Sequence, residues 1–107
     1  MKPLLALVAL PICAVILASC ETTLKTAPPV TAAFVRASDR KDSEFGELEA
    51  GRKLFLNRCI ACHALPEVAR YDAGRIPGIV GWMSGRAHLT SEQKDQVTKY
   101  LLAVRSQ

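Results

Sequence analysis

The sequence predicts a small all-α domain of about three to four helices. Two stretches carry apolar residues at the three- and four-residue spacing of an amphipathic helix, from about Glu47 to Cys59 and from about Ser91 to Arg105. No stretch shows a convincing strand pattern. The chain has 107 residues, which leaves room for one such domain.

The first residues predict export from the cytoplasm. Met1 and Lys2 precede an uncharged, almost wholly apolar run from Pro3 to Leu17. This order is typical of a secretory signal peptide, and the run is too short for a secure membrane span. We therefore expect residues 1–19 to be a cleaved signal.

The end of this segment, Leu17-Ala18-Ser19-Cys20, resembles the lipobox of bacterial lipoproteins. The resemblance implies that Cys20 is acylated and becomes the mature N-terminus, with several acyl chains for stable anchoring. An ordinary signal peptide that ends near a cysteine is the alternative. Glu21 stands where aspartate would be the strongest signal for inner-membrane retention, so we expect the periplasmic face of the outer membrane.

Residues 20–44 are predicted to be a flexible tether. They are rich in threonine, alanine and serine, contain Pro28-Pro29 and end in a run of alternating charges. They show no sustained apolar period, although the apolar stretch Ala32 to Val35 could pack on the domain. The folded domain is accordingly predicted over residues 45–107.

Each predicted helix has its own local signals. The first carries Glu47 and Glu49 in its first turn, which suits the helix dipole. Between the two long helices, Pro77 to Ala87 predicts a short helix with loops, and its three glycines weaken the helical pattern. The last helix follows the capping-box pattern from Thr90 to Gln93. Its apolar stripe consists of Val97, Tyr100, Leu101 and Val104.

The stretch Cys59-Ile60-Ala61-Cys62-His63 admits three chemistries. A zinc site needs four ligands, and only His88 remains to supply the fourth. A redox dithiol pair follows a strand and starts a helix, whereas here a helix precedes the pair. Cysteines three positions apart can instead form thioethers with the two vinyl groups of a heme, and the adjacent histidine can bind its iron. The C-x-x-C-H unit therefore favours covalent heme.

Two longer segments resemble class I c-type cytochromes. Gly51 to His63 is similar to their N-terminal helix and heme motif, and Leu89 to Arg105 is similar to their C-terminal helix. The resemblance implies a helical domain wrapped around one covalent heme c, held by Cys59 and Cys62, with His63 on the iron. In that family the two terminal helices cross tightly, and the residues carried over to this crossing are Gly51, Phe55 and Tyr100.

The resemblance also implies a second axial ligand. The family places a methionine in a loop or short helix before the C-terminal helix, and Met83, the one methionine of the mature chain, lies seven residues before Thr90. His88 is the alternative ligand, and an open site is a third possibility. Only 20 positions separate His63 from Met83, so the wall between them has to be compact.

Several further residues are candidates for contacts with the heme. Ile79 and Val80 are expected to line its pocket. Trp82 is expected to donate to a propionate or to pack on the ring, and the carbonyl of Pro66 could orient His63. Three arginines could neutralise propionates, although each could equally be a solvated charge: Arg58, Arg75 and Arg86.

The resemblance implies a one-electron carrier rather than an enzyme. Its partners would be redox proteins of the periplasm or the membrane, with no small-molecule substrate. Without residues 1–19 the chain keeps 13 basic and 10 acidic residues, a net charge of +3, and this scattered excess does not indicate nucleic acid. The competing classes are a heme enzyme or gas sensor with an open or bis-histidine site, a subunit of a larger oxidoreductase, and a structural lipoprotein without heme.

Overall fold

The computed structural model describes residues 26–59 and 67–107, and every regular element within these two ranges is a helix. The predicted all-α fold class is therefore confirmed. The predicted signal peptide and three of the predicted site residues, Cys20, Cys62 and His63, lie outside the described residues, as does Pro66. Across the two described ranges no helix has the length and apolar character that a membrane span requires.

Four α-helices form the described part of the fold: α1 (Ala32–Ala37), α2 (Phe45–Leu54), α3 (Ile76–Ser84) and α4 (Ser91–Arg105). Helix α2 continues directly into a π-helix, Phe55–Cys59. The connections contain three short 3₁₀ turns: Asp42–Glu44, Val68–Arg70 and Ala73–Arg75.

Helix α4 begins where the capping-box pattern predicts. The Thr90 hydroxyl accepts a hydrogen bond from the Gln93 backbone N–H at 3.2 Å, and the Gln93 side chain accepts one from the Thr90 N–H at 3.0 Å. Val97, Tyr100 and Ala103 are the buried positions of the helix. The predicted N-terminus is thus confirmed, and of the predicted apolar stripe Val97 and Tyr100 are buried while Leu101 and Val104 are half-buried.

Helices α2 and α4 form the most extensively packed pair and cross at Gly51. A Cβ atom added at Gly51 would lie 2.7 Å from the backbone carbonyl carbon of Gln96 and 2.9 Å from the Cβ of Tyr100. The rings of Phe55 and Tyr100 meet beside this crossing with centroids 6.1 Å apart. The expected meeting of Gly51, Phe55 and Tyr100 is confirmed.

The segment before α2 differs from the predicted tether over its described part. Residues 26–44, which we call the strap, pack on the crossing rather than extend freely. The Tyr100 hydroxyl donates to the Pro28 carbonyl at 2.8 Å, and the Arg52 Nε donates to the carbonyls of Ala27 and Pro28 at 3.2 and 3.1 Å. The buried apolar side chains of the strap are Ala27, Val30, Phe34 and Val35.

A tight helix ending returns the strap toward α2. Asp39 has a φ of 53°, in the left-handed region. The Arg40 N–H donates to the Val35 carbonyl at 3.1 Å and the Asp39 N–H donates to the Arg36 carbonyl at 3.2 Å, which is a Schellman motif. The nearby Ser38 hydroxyl is buried but satisfied, because it bonds to carbonyl oxygens of the preceding turn.

Replacing Gly51 with alanine should destabilise the domain. The added methyl meets backbone atoms of Gln96 that cannot rotate away, so we expect a loss of about 1–3 kcal/mol in the free energy of unfolding. Urea unfolding measures it. Gly46→Ala is the matched control in the same helix, because nothing lies within 4 Å of its added Cβ, and it should be neutral or stabilising. Equal effects of the two substitutions would contradict the close crossing.

Replacing Tyr100 with phenylalanine should change how stability depends on pH. Burial raises the pKa of the Tyr100 hydroxyl, and the nearby Arg52 only partly opposes this. The unfolded chain therefore ionises first, so the stability supplied by the neutral hydroxyl is present below pH about 10 and falls as the pH rises further.

Urea unfolding at pH 7 and pH 11 tests this dependence. At pH 7 the Tyr100→Phe variant should be about 1 kcal/mol less stable, because it lacks the bond to Pro28. Between pH 7 and pH 11 the unmodified protein should lose roughly 1.4 kcal/mol more than the variant. Equal losses in the two proteins would show that the hydroxyl is not held neutral.

Candidate functional site

An apolar cavity of about 260 Å³ lies between the π-helix, α3 and α4. Its size is close to the lower end of the usual range for ligand pockets, about 300–1,000 Å³. The exposed residues that line it are Arg58, Tyr71, Trp82 and Arg86. The remaining lining residues are Phe55, Cys59, Val68, Ile76, Ile79, Val80, Met83, Ala87, Leu89, Val97 and Leu101.

The first cysteine of the predicted heme motif belongs to this lining. Cys59 is the last residue of the π-helix that extends α2, and it is half-buried. Turns of this wider kind are rare and occur frequently at functional sites. Because Cys62 and His63 follow within four residues, the chain enters the predicted motif from the wall of the cavity.

The predicted methionine belongs to the same lining. Met83 lies in the last turn of α3 and is half-buried, and its backbone carbonyl accepts a hydrogen bond from the Ala87 N–H at 3.0 Å. Ile79 and Val80 lie four and three positions earlier, so they share its face of the helix. Both line the cavity.

The alternative ligand, His88, lies elsewhere. Its φ is 53°, and it occupies the left-handed position of a second Schellman motif. The Leu89 N–H donates to the Ser84 carbonyl at 3.0 Å, and the His88 N–H donates to the Gly85 carbonyl at 3.4 Å. This geometry directs Leu89 to the cavity and leaves His88 exposed and outside the lining. Of the two candidates, the structure brings only Met83 to the cavity of Cys59.

Positive charge surrounds the cavity. The Arg58 guanidinium donates to the Ala87 carbonyl at 3.3 Å, which ties the π-helix to the turn after α3. The Arg86 guanidinium lies over the ring of Trp82, 4.7 Å from its centroid, and Trp82 is 68% exposed. Arg75 lines a shallow adjoining groove with Tyr71 and Trp82. Among the described lining residues none is acidic, so an anionic edge of a ligand would be favoured here.

Some lining residues carried a sequence signal and others did not. Val97 and Leu101 belong to the apolar stripe of α4, so their burial was predictable although their place in a cavity was not. Val68 and Tyr71 lie in the irregular segment before α3, where no period marks one face. The Trp82 ring lines the cavity while most of its surface faces solvent, and its expected contact with a heme stays a prediction.

The arrangement suits a large apolar group with a charged edge. A thiol at the wall can attach such a group covalently, and a thioether is a soft, neutral metal ligand. No cluster of three or more histidine, cysteine or carboxylate side chains that could hold a bare metal ion occurs in residues 26–59 and 67–107. Cys59 and Met83 are the sulfur-bearing side chains that the structure brings together at this cavity.

The chain matches no family model, no curated protein and no solved structure in the comparisons. Its function is therefore inferred from its own residues.

Proposed function

We propose that this chain is a small monoheme c-type cytochrome that carries one electron at a time. It would be anchored through lipid on Cys20 and work on the periplasmic side of a bacterial membrane. The observation that carries the proposal is that Cys59 and Met83 line one apolar cavity. Cys59 opens a C-x-x-C-H sequence, and Met83 is the one methionine after the predicted signal peptide.

Different residues of the chain would attach the heme, bind its iron and surround it. Cys59 and Cys62 would hold the heme covalently, while His63 and Met83 would bind its iron. When bound, the heme supplies an iron that gains and loses one electron, and methionine ligation raises its reduction potential. The aliphatic side chains of the cavity exclude water, which further favours the less charged, reduced state. The exposed arginines would face the propionates.

The helix crossing gives independent support to the resemblance. Gly51, Phe55 and Tyr100 meet where the resemblance to class I cytochromes expects two helices to cross. This agreement concerns residues outside the C-x-x-C-H sequence, so it does not repeat the same signal. It supports a relationship in fold, and the heme itself has to be tested directly.

Export of the unmodified chain in a bacterium that attaches heme c should yield a protein with covalent heme. A peroxidase-active heme stain on a denaturing gel measures it. Replacing Cys59 and Cys62 with alanine should abolish the stain, because both thioethers are lost. Cys13→Ala is the matched control, since this cysteine lies in the predicted signal and its loss should leave the stain unchanged. An unstained unmodified protein would instead support a structural lipoprotein.

Replacing Met83 with alanine should open the iron to external ligands. The weak near-infrared band of the thioether–iron bond should disappear, carbon monoxide should bind the reduced protein, and the reduction potential should fall. Absorption spectra during a redox titration measure all three.

His88→Ala is the matched control, because its side chain is exposed and outside the cavity lining. It should leave the band and the potential unchanged. Loss of native ligation in this control, with Met83→Ala unaffected, would identify a bis-histidine site. Ready binding of carbon monoxide by the unmodified protein would favour the enzyme or gas-sensor class.

A further inference from the structure

The strap is fixed to the domain at a point close to the predicted lipid anchor. Tyr100 and Arg52 hold the backbone carbonyls of Ala27 and Pro28 through three hydrogen bonds of 2.8 to 3.2 Å. Ala27 and Val35 are fully buried, and the ring of Phe34 stacks on Tyr100 with centroids 6.1 Å apart. The chain therefore joins the folded domain at Ala27 rather than at Phe45.

This attachment limits how far the domain can move from the anchor. Cys20 lies seven residues before Ala27, and seven residues reach about 25 Å at most when fully extended. A tether that ran freely to Phe45 would span about 90 Å by the same measure. The strap therefore removes nearly three quarters of the reach that the sequence suggests.

The attachment also leaves the cavity accessible. Within the residues that the structure describes, no strap residue lines the cavity, although Phe34 of the strap and Phe55 of the cavity wall both lie against the Tyr100 ring. The chain thus enters the domain at one place while Trp82 and the arginines surround the cavity at another. A partner can approach the cavity without displacing the strap.

We propose that the strap is a rigid mount that confines the carrier to the membrane surface, so that its electron partner is a protein held in the same membrane. The inference rests on the proposed function for the lipid at Cys20 and for the heme. A freely diffusing carrier of the compartment would be a secondary partner at most, because confinement raises the effective concentration only of sites within the reach of the anchor.

Two insertions of the same sequence distinguish a mount from a tether. One variant of the lipidated full chain receives 20 glycine and serine residues between residues 25 and 26, and the other receives them between Arg40 and Lys41. Neutron reflectometry on a supported bilayer measures the height of the domain above the lipid. A mount predicts that the first insertion raises the domain by about 10–15 Å, whereas the second leaves it within a few Å of the unmodified height.

A flexible tether predicts that both insertions raise the domain equally, and that result would overturn the mount. So would a failure of the first insertion to change the height, or a chain that the bilayer does not retain. Since the second insertion could itself release the strap, amide exchange is measured on the unmodified protein. Slow exchange at Val35, Ser38 and Arg40, whose N–H groups are hydrogen-bonded, is expected, and fast exchange there overturns the mount.

The heme is scored separately by absorption spectrum. A protein without heme that shows the expected heights would refute the electron carrier and leave the mount in place. A heme protein whose two insertions give equal heights would refute the mount and leave the electron carrier in place.

Discussion

The close approach of α2 and α4 at Gly51 is the constraint on which the rest of the structure depends. Because Gly51 has no side chain, the backbone at Gln96 and the Cβ of Tyr100 occupy the space that a methyl group would need. The Tyr100 ring then meets Phe55 and Phe34 at the same centroid distance of 6.1 Å. One side chain of α4 thereby links the helix that leads to Cys59 with the strap.

Side chains at neighbouring positions of the two crossing helices contact different parts of the molecule. On α4, Val97 and Leu101 line the cavity, whereas Tyr100 donates to the strap. On the α2 side, Phe55 lines the cavity, whereas Arg52 donates to the strap. The cavity and the attachment of the strap therefore use different side chains of the same helix crossing.

The parts of the fold that could be predicted from the sequence are those with local signals. The capping box at Thr90 and the period of α4 depend only on residues three or four positions apart, so both are visible in the sequence. The strap is held by the carbonyl groups of Ala27 and Pro28 together with buried apolar side chains, and a carbonyl acceptor has no signature in a sequence. Its composition resembles that of a linker, so the tether prediction failed for a physical reason.

The candidate site likewise contains residues that the sequence could predict and residues that it could not. The place of Met83 followed from a resemblance, and Ile79 and Val80 followed from the helix that carries it. The left-handed backbone at His88 was not predictable, because that position of a Schellman motif usually holds glycine and a histidine there gives no warning. Residues of irregular segments, such as Tyr71, join the cavity only through the tertiary fold.

Packing energetics connect the cavity to the strap. An apolar cavity of about 260 Å³ adjoins Phe55. Small domains have a total stability of about 5–15 kcal/mol, so burying one large apolar group there would contribute materially to folding. In our proposal a covalent heme fills this cavity and packs against Phe55. The strap packs against Tyr100 at the same helix crossing. Since a group that binds only the folded state stabilises it, heme attachment would also strengthen the packing that holds the mount.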